Sequence, residues 1–183
     1  MGHRLSKITT RTGDGGETGL GDGSRARKDS PRVVALGEID ELNSAIGVLL
    51  AEPLPEKIHG VLEGIQHDLF DLGGDVSIPG HATLTDGQVR RLETLLDEFN
   101  SPLPRLKEFI LPGGTRAAGL AHLARAVCRR AERSIVALSS SEKVADSARI
   151  YLNRLSDLLF VLGRVLNREG GRGDVLWQQG KNR

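Results

Sequence analysis

The sequence predicts an all-α fold, a bundle of five antiparallel helices. Three observations carry that expectation. From residue 32 onward, apolar residues recur at three- and four-residue spacing in five separate runs. The links between the runs are short and rich in Pro and Gly. No segment alternates apolar and polar residues over more than four positions, so none reads as a strand. A chain of 183 residues fits one domain with a substantial core. Aromatic residues are only 3% of it, which leaves Leu, Val, Ile and Ala to fill that core.

Each element follows from local pattern. Residues 1–31 hold a glycine-rich stretch, TGDGGETGLGDGS, with no hydrophobic period, and read as irregular. The bundle then occupies 32–170, and 171–183 form a tail. The first helix is expected over 32–51, with Val33, Leu36, Ile39, Leu42, Ile46 and Leu49 on one face and Pro53 and Pro55 ending it. The second runs over 55–73 through Ile58, Leu62, Ile65, Leu69 and Leu72, and Gly73-Gly74 punctuates its end. Thr85 caps a third over 86–99. A turn-rich link with Pro102, Pro104 and Pro112 leads to the fourth, over 114–138. The fifth spans 143–169, stopped by Gly170 and Gly171.

Charge narrows the function. The net charge of +1 is not that of a globally basic nucleic-acid binder. Positive charge is instead concentrated in two places, at +3 over residues 1–28 and +4 over residues 115–133. The single cysteine, Cys128, excludes an internal disulfide and a multi-cysteine metal site, and reads as a small buried residue. No apolar run approaches a membrane span of about 20 residues, and no signal core opens the chain. A cytoplasmic protein is the expectation.

The fourth helix carries Arg116, Arg125, Arg129, Arg130 and Arg133. Three of these are four residues apart and form one stripe. Like charges so stacked weaken an isolated helix, and guanidinium forks suit phosphate, so the stripe points to an anionic ligand. In the leader, Gly13-Asp14-Gly15-Gly16 lets backbone N–H groups approach a phosphate, with Thr10, Thr12, Thr18, Arg11 and Lys28 adding donors and charge. It is neither a Walker A loop nor a dinucleotide fingerprint. Asn153, Asp157 and Arg164 form a polar seam on the fifth helix, either a solvated face or the wall of a site. Asp40 and Asn43 pose the same choice, and Asp40 could partner one of the arginines. His122, three residues before Arg125, reads as an ordinary packed or exposed histidine that at most borders the site. Phe109-Ile110-Leu111-Pro112-Gly113-Gly114 sets an apolar cluster before the arginine helix. That combination fits one flat apolar ligand beside one anionic ligand. A di-iron bundle needs two Glu-x-x-His pairs, and this chain has only Glu56 and His59.

Five motifs appear in order: Thr10-Arg11-Thr12-Gly13-Asp14, Gly37-Glu38-Ile39-Asp40-Glu41-Leu42-Asn43-Ser44, Phe109 to Gly114, Arg125 to Arg133, and Asn153-Arg154-Leu155-Ser156-Asp157. Together they resemble the PduO-type ATP:cob(I)alamin adenosyltransferases over roughly residues 7–177. The resemblance implies a homotrimer of five-helix bundles with active sites between subunits. It implies ATP, with magnesium, held by Thr10, Arg11, Thr12, Gly13, Thr18, Gly19 and Lys28 of one subunit. Arg129, Arg130, Glu132, Arg133 and Asn153 of the neighbour would close the site. Asp40 and Arg125 match an intersubunit salt bridge, and Phe109 matches the aromatic residue against the lower face of the corrin.

The implied reaction is attack of reduced cobalamin on the 5′ carbon of ATP, giving adenosylcobalamin and triphosphate. Cobalt is the nucleophile, which agrees with the absence of any Ser–His or Cys–His arrangement in the sequence reading. Arg129, Arg133 and Phe109 would then be the main catalytic contributors, with Asp40 and Arg125 holding the site together. A reductase or a cobalamin-dependent enzyme is the implied protein partner; no nucleic acid or membrane is. The sequence departs from the family pattern in two places. Gly15 stands where many members have Lys, and Arg11 stands where Lys is commoner. Two other readings remain at this stage. One is a nucleotide-sensing or cofactor-delivery bundle that releases no triphosphate. The other is an RNA-binding helical protein, supported only by the arginines.

Overall fold

A computed structural model describes residues 8–182. Residues 1–7 and 183, which include His3 and the start of the matched span at Lys7, lie outside the described residues. Five helices dominate: α1 (Pro31–Leu50), α2 (Glu56–Ser77), α3 (Asp86–Asn100), α4 (Arg116–Ser139) and α5 (Asp146–Glu169). Their directions alternate along the chain. Arg32 and Asn43 of α1 meet Val76 and Gln66 of α2, so the pair is antiparallel. Arg116 and Arg130 of α4 meet Glu52, just past α1, and Glu38 of α1, again in opposite order. Cys128 of α4 donates to the Leu152 carbonyl of α5, while Thr115 and Asn167 meet at the other end. α4 packs between α5 and α1, with α2 against α1 and α3 against α5.

The ends of the helices show why the elements fall where they do. Ser30 caps α1, and Pro31 sits in its first turn, where the missing N–H costs nothing. Thr85 caps α3 as expected, and Gln88 closes a capping box. α2 runs to Ser77 rather than stopping at residue 73. Two glycines weaken a helix by only about 1 kcal/mol each, and burial of Leu72 and Val76 outweighs that. The buried guanidinium of Arg32 also takes the Val76 carbonyl and pairs with Glu142, which ties the last turn of α2 to α1 and the α4–α5 link.

The leader is not irregular throughout, contrary to the sequence expectation. Residues Glu17–Gly19 (β1) and Arg25–Arg27 (β2) form an antiparallel hairpin with Thr18 opposite Ala26. Three residues per strand are too few for a periodic signal. The hairpin is fixed by its turn instead: Asp22 accepts from the Ser24 N–H and hydroxyl, and Gly23 takes φ +88°. The Gly21 N–H docks the hairpin on Ser77 at the end of α2.

The core is aliphatic, as the composition required, with Leu, Ile, Val and Ala from all five helices. Tyr151 is its largest fully buried side chain. Its hydroxyl donates to Asp68 of α2 at 2.7 Å, and Arg91 of α3 pairs with the same carboxylate. Three helices therefore meet on one buried charge. Among the described residues, no helix is long and apolar enough to cross a membrane.

Candidate functional site

The approach to α4 builds one wall of the site. Gly113 and Gly114 turn the chain at φ +152° and +115°, and Asn167 of α5 clamps the turn. The Asn167 amide donates to the Gly113 carbonyl at 2.9 Å and accepts from the Thr115 N–H at 2.8 Å. A side chain at Gly114 would collide with that amide. Thr115 then caps α4 by accepting from the Ala118 N–H. The alanine-rich inner face of α4 seats it closely on α1 and α5, which turns the other faces of the helix outward.

Beside this turn lies a cavity of about 560 Å³, walled by Leu106, Phe109, Ile110, Pro112, His122, Arg125 and Phe160, with Lys107 and Glu108 at its edge. It is a largely apolar pocket with two buried polar groups. Phe109 is 77% exposed and free to cover a ligand, with the Trp177 ring edge-on at 6.4 Å. The 175–177 segment is held against the pocket rim: the Leu111 N–H donates to the Val175 carbonyl, and the Trp177 N–H to the Phe109 carbonyl. His122 is buried, lies edge-on to Phe160, and has no partner on either ring nitrogen. Gly163 makes room for it, since a Cβ there would sit 2.9 Å from His122 Nε2. Burial, with help from the Arg125 cation and against the Asp174 carboxylate, lowers the His122 pKa from 6.5 and leaves the ring neutral at pH 7. The buried Nε of Arg125 likewise lacks a partner, and burial and the neighbouring Arg129 lower its affinity for a proton.

The arginines of α4 divide into two sets. Arg125 lines the cavity, and Arg129 and Arg133 continue outward along the same face with no carboxylate within ion-pair distance among the described residues. Arg116 and Arg130 face elsewhere. Arg116 pairs with Glu52, and Arg130 pairs with both Glu38 and Glu41 of α1. Glu132 accepts from Asn153 of α5 at 3.1 Å, which places both beside the stripe. Arg164 leaves the expected seam with Asn153: it is buried and pairs with Asp174 of the tail. Asp40 is exposed and unpaired among the described residues.

The leader forms a second cluster. Thr10 and Thr12 hydroxyls are 3.0 Å apart, and the Thr12 carbonyl accepts from Arg25. Arg11 takes φ +60°, a left-handed conformation uncommon outside glycine. A Cβ at Gly13 would stand 3.1 Å from Lys28 Nζ, so the glycine lets this ammonium lie over the loop. Thr18 and Gly19 follow in β1. Nothing lies within 4 Å of a Cβ at Gly15. No hydrogen bond or ion pair joins this cluster to α4 of the same chain among the described residues.

Comparison with known proteins decides the family. The profile of the cobalamin adenosyltransferase family matches residues 8–166. The chain belongs to that family. It is 63% identical over 180 residues to a cobalamin adenosyltransferase of Cupriavidus metallidurans, covering 98% of each. It is 48% identical to the corrinoid adenosyltransferase of Bacillus subtilis, covering 94% of this chain and 93% of that one. Among solved structures, a phenylalanine-to-alanine variant of the PduO-type ATP:corrinoid adenosyltransferase of Lactobacillus reuteri, complexed with cobalamin and ATP, superposes with a TM-score of 0.89. That structure is 36% identical, with 94% of this chain and all of that one covered. An arginine-to-lysine variant complexed with ATP gives 0.88 at 37% identity, covering 93% of this chain and all of that one.

Sequence reasoning favoured an ordinary histidine at His122 over one bordering the site, whereas the ring lines the cavity, and it did not single out Phe160, Leu106 or Trp177. Two of these had a signal. His122 and Arg125 are three apart on α4, and Phe160 is three before the space-making Gly163. Trp177, arriving from a tail beyond the last helix, had none.

Proposed function

We propose that this chain is a corrinoid adenosyltransferase, which moves the 5′-deoxyadenosyl group of ATP to the cobalt of cob(I)alamin and releases triphosphate. The observation that carries the reading is adjacency: the apolar cavity beside Phe109 has Arg125 in its wall, and Arg129 and Arg133, which have no carboxylate partner among the described residues, follow at four-residue steps along α4. A macrocycle fits the first and a polyphosphate the second. The bond that forms is cobalt to C5′, and the bond that breaks is C5′ to the phosphate oxygen. The chain need supply no nucleophile of its own.

What its residues supply is position and charge. Phe109 would lie against the lower face of the corrin and keep water or a base off the cobalt. Arg129 and Arg133 would hold the triphosphate and meet the negative charge that grows on it as it departs. Thr10, Arg11, Thr12, Gly13, Thr18, Gly19 and Lys28 would cradle the phosphates from the other side, with Glu132 and Asn153 ordering the nucleoside end. Arg130, already held by Glu38 and Glu41, would act chiefly by bracing α4 on α1. Among the described residues, no three His, Cys, Asp or Glu converge to hold a metal. A magnesium ion would therefore arrive on the oxygens of ATP itself, where it would neutralise phosphate charge.

The same proposal includes a trimer with its sites between subunits. Its support is that, among the described residues, no hydrogen bond or ion pair joins the leader cluster to α4 of its own chain. A second support is the pair of incomplete partners, exposed Asp40 and the buried, unpaired Nε of Arg125. Val34 and Val48 on α1 and Leu123 and Val136 on α4 are exposed apolar residues on adjacent helices, the material of an interface. The test is a visible spectrum recorded while purified protein turns over MgATP and chemically reduced cobalamin, paired with a triphosphate assay. A cobalt–carbon product with equimolar triphosphate is expected. Tight ATP binding with no triphosphate would favour a sensing or delivery role instead.

A further inference from the structure

The apolar cavity does not end at Phe160. Leu106 and Phe160 also line a second cavity of about 690 Å³, which continues past Leu96, Pro104 and Arg164. Pro104 and Arg164 in turn line a third, of about 440 Å³, with Pro102, Arg168, Arg172 and Asp174. The three lie in a row along α5, from Phe160 through Arg164 to Arg168, with Leu106 and Phe160 between the first and second and Pro104 and Arg164 between the second and third. Eight residues of helix make that run about 12 Å long. Its character changes along the way, from aromatic and aliphatic at one end to cationic at the other.

Four arginines stand along the far part: Arg105, Arg164, Arg168 and Arg172. Arg164 is buried and already satisfied by Asp174 at 2.8 Å and the Pro104 carbonyl at 2.7 Å. The other three have no carboxylate within ion-pair distance among the described residues. Arg168 lends one nitrogen to the Pro102 carbonyl at 2.6 Å, and Arg172 reaches the Gly114 carbonyl at 3.4 Å. Their remaining donors are exposed. Asp157 and Asp174 are the carboxylates that line the second and third cavities, so four cations face two anions there. In the proposed reading the triphosphate has its own cations on a different helix, in Arg129 and Arg133 of α4.

We infer that the arginine-lined end of this row, Arg168 and Arg172 above all, receives the phosphodiester of the nucleotide loop that a complete corrinoid carries on the rim of its ring. The inference rests on the reading of the apolar cavity as the corrinoid seat. A ligand with an apolar ring and one tethered anion matches the polarity of the row end for end. Arginine suits that anion because its fork donates to two phosphate oxygens at once.

The experiment compares cobalamin with cobinamide, which has the same ring but no nucleotide loop, phosphate or base. Both are titrated by absorbance into the full-length protein loaded with MgATP, for wild type, for Arg168→Ala/Arg172→Ala and for Arg168→Lys/Arg172→Lys. The cost of lifting the cobalamin base off cobalt is common to all three proteins and cancels in the ratio of affinities. The alanine double variant is expected to weaken cobalamin about tenfold and cobinamide less than twofold. The lysine variant should recover part of the loss. Equal weakening of both ligands, or no weakening of either, overturns the inference and leaves the arginines as clamps of the Pro102–Pro104 link. In wild type, added salt should erode the affinity for cobalamin and spare that for cobinamide. A ratio indifferent to salt overturns the inference without reliance on any variant. Failure of wild type to bind either corrinoid overturns the underlying reading, and this inference with it.

Discussion

Arg129 is exposed, unpaired with any carboxylate among the described residues, and one turn of α4 from the cavity that holds Arg125. If it meets charge on the departing triphosphate, Arg129→Ala should lower kcat/KM by about 10²- to 10³-fold. Turnover close to wild type would remove the residue from the site. Phe109 touches only the apolar side, so Phe109→Ala should slow cobalt–carbon bond formation and leave the affinity for ATP within about twofold. An equal loss in ATP binding, measured by calorimetry, would contradict that placement. Gly15 faces open space. Gly15→Lys should therefore fold normally and lower KM for ATP by about two- to fivefold, the scale of one exposed charge contact. A raised KM would show that the loop is arranged around the absence of that cation. Much of this was legible from residue type and spacing, because arginines four apart on a helix must share a face. His122 was not, since a lone histidine gives no sign in sequence of whether its nitrogens will find partners.

At the scale of elements, the helices were readable because each buries a long apolar stripe. Boundaries failed where a contact from elsewhere decided them. α2 passes through Gly73-Gly74 because Arg32, over forty residues earlier, takes the carbonyl of Val76. The β1–β2 hairpin escaped because its strands are too short for a period to show. The loop after α2 is organised by Asp75, which accepts from the N–H groups of Thr83 and Leu84 and from His81. Burial pushes the Asp75 pKa up, but these donors outweigh it and hold it below the ordinary 3.8. A depressed folded value means stability that is present above 3.8 and lost as pH falls through the lower folded value. Urea midpoints of wild type and Asp75→Asn should thus differ at neutral pH and converge in strong acid. A gap that does not narrow as pH falls below 3.8 would refute the linkage. Asp68 is a sterner case. It is buried, and Tyr151 and Arg91 both depend on it. Asp68→Ala should cost about 3–5 kcal/mol in chemical denaturation.

Across the whole molecule, the proposed site needs two chains. That makes a mixing experiment decisive. Chains carrying Arg129→Ala keep a sound leader, and chains carrying Thr12→Ala keep a sound α4. Equal amounts, unfolded and refolded together, should regain activity at about one site in four, those pairing the two intact halves. No recovery above the two parents would place both halves in a single chain. If the proposed trimer pairs Asp40 with Arg125 of a neighbour, Asp40→Asn should reduce the trimer fraction in light scattering, because it leaves a half-buried guanidinium without its carboxylate. The one thiol adds a further consequence. Cys128 is fully buried, donates to the Leu152 carbonyl, and is held protonated by burial. An alkylating reagent can reach it only when α4 and α5 part. The rate at which iodoacetamide modifies the native protein is therefore a clock for the opening of the bundle, and any substrate that tightens the two helices should slow it without a probe being added to the chain.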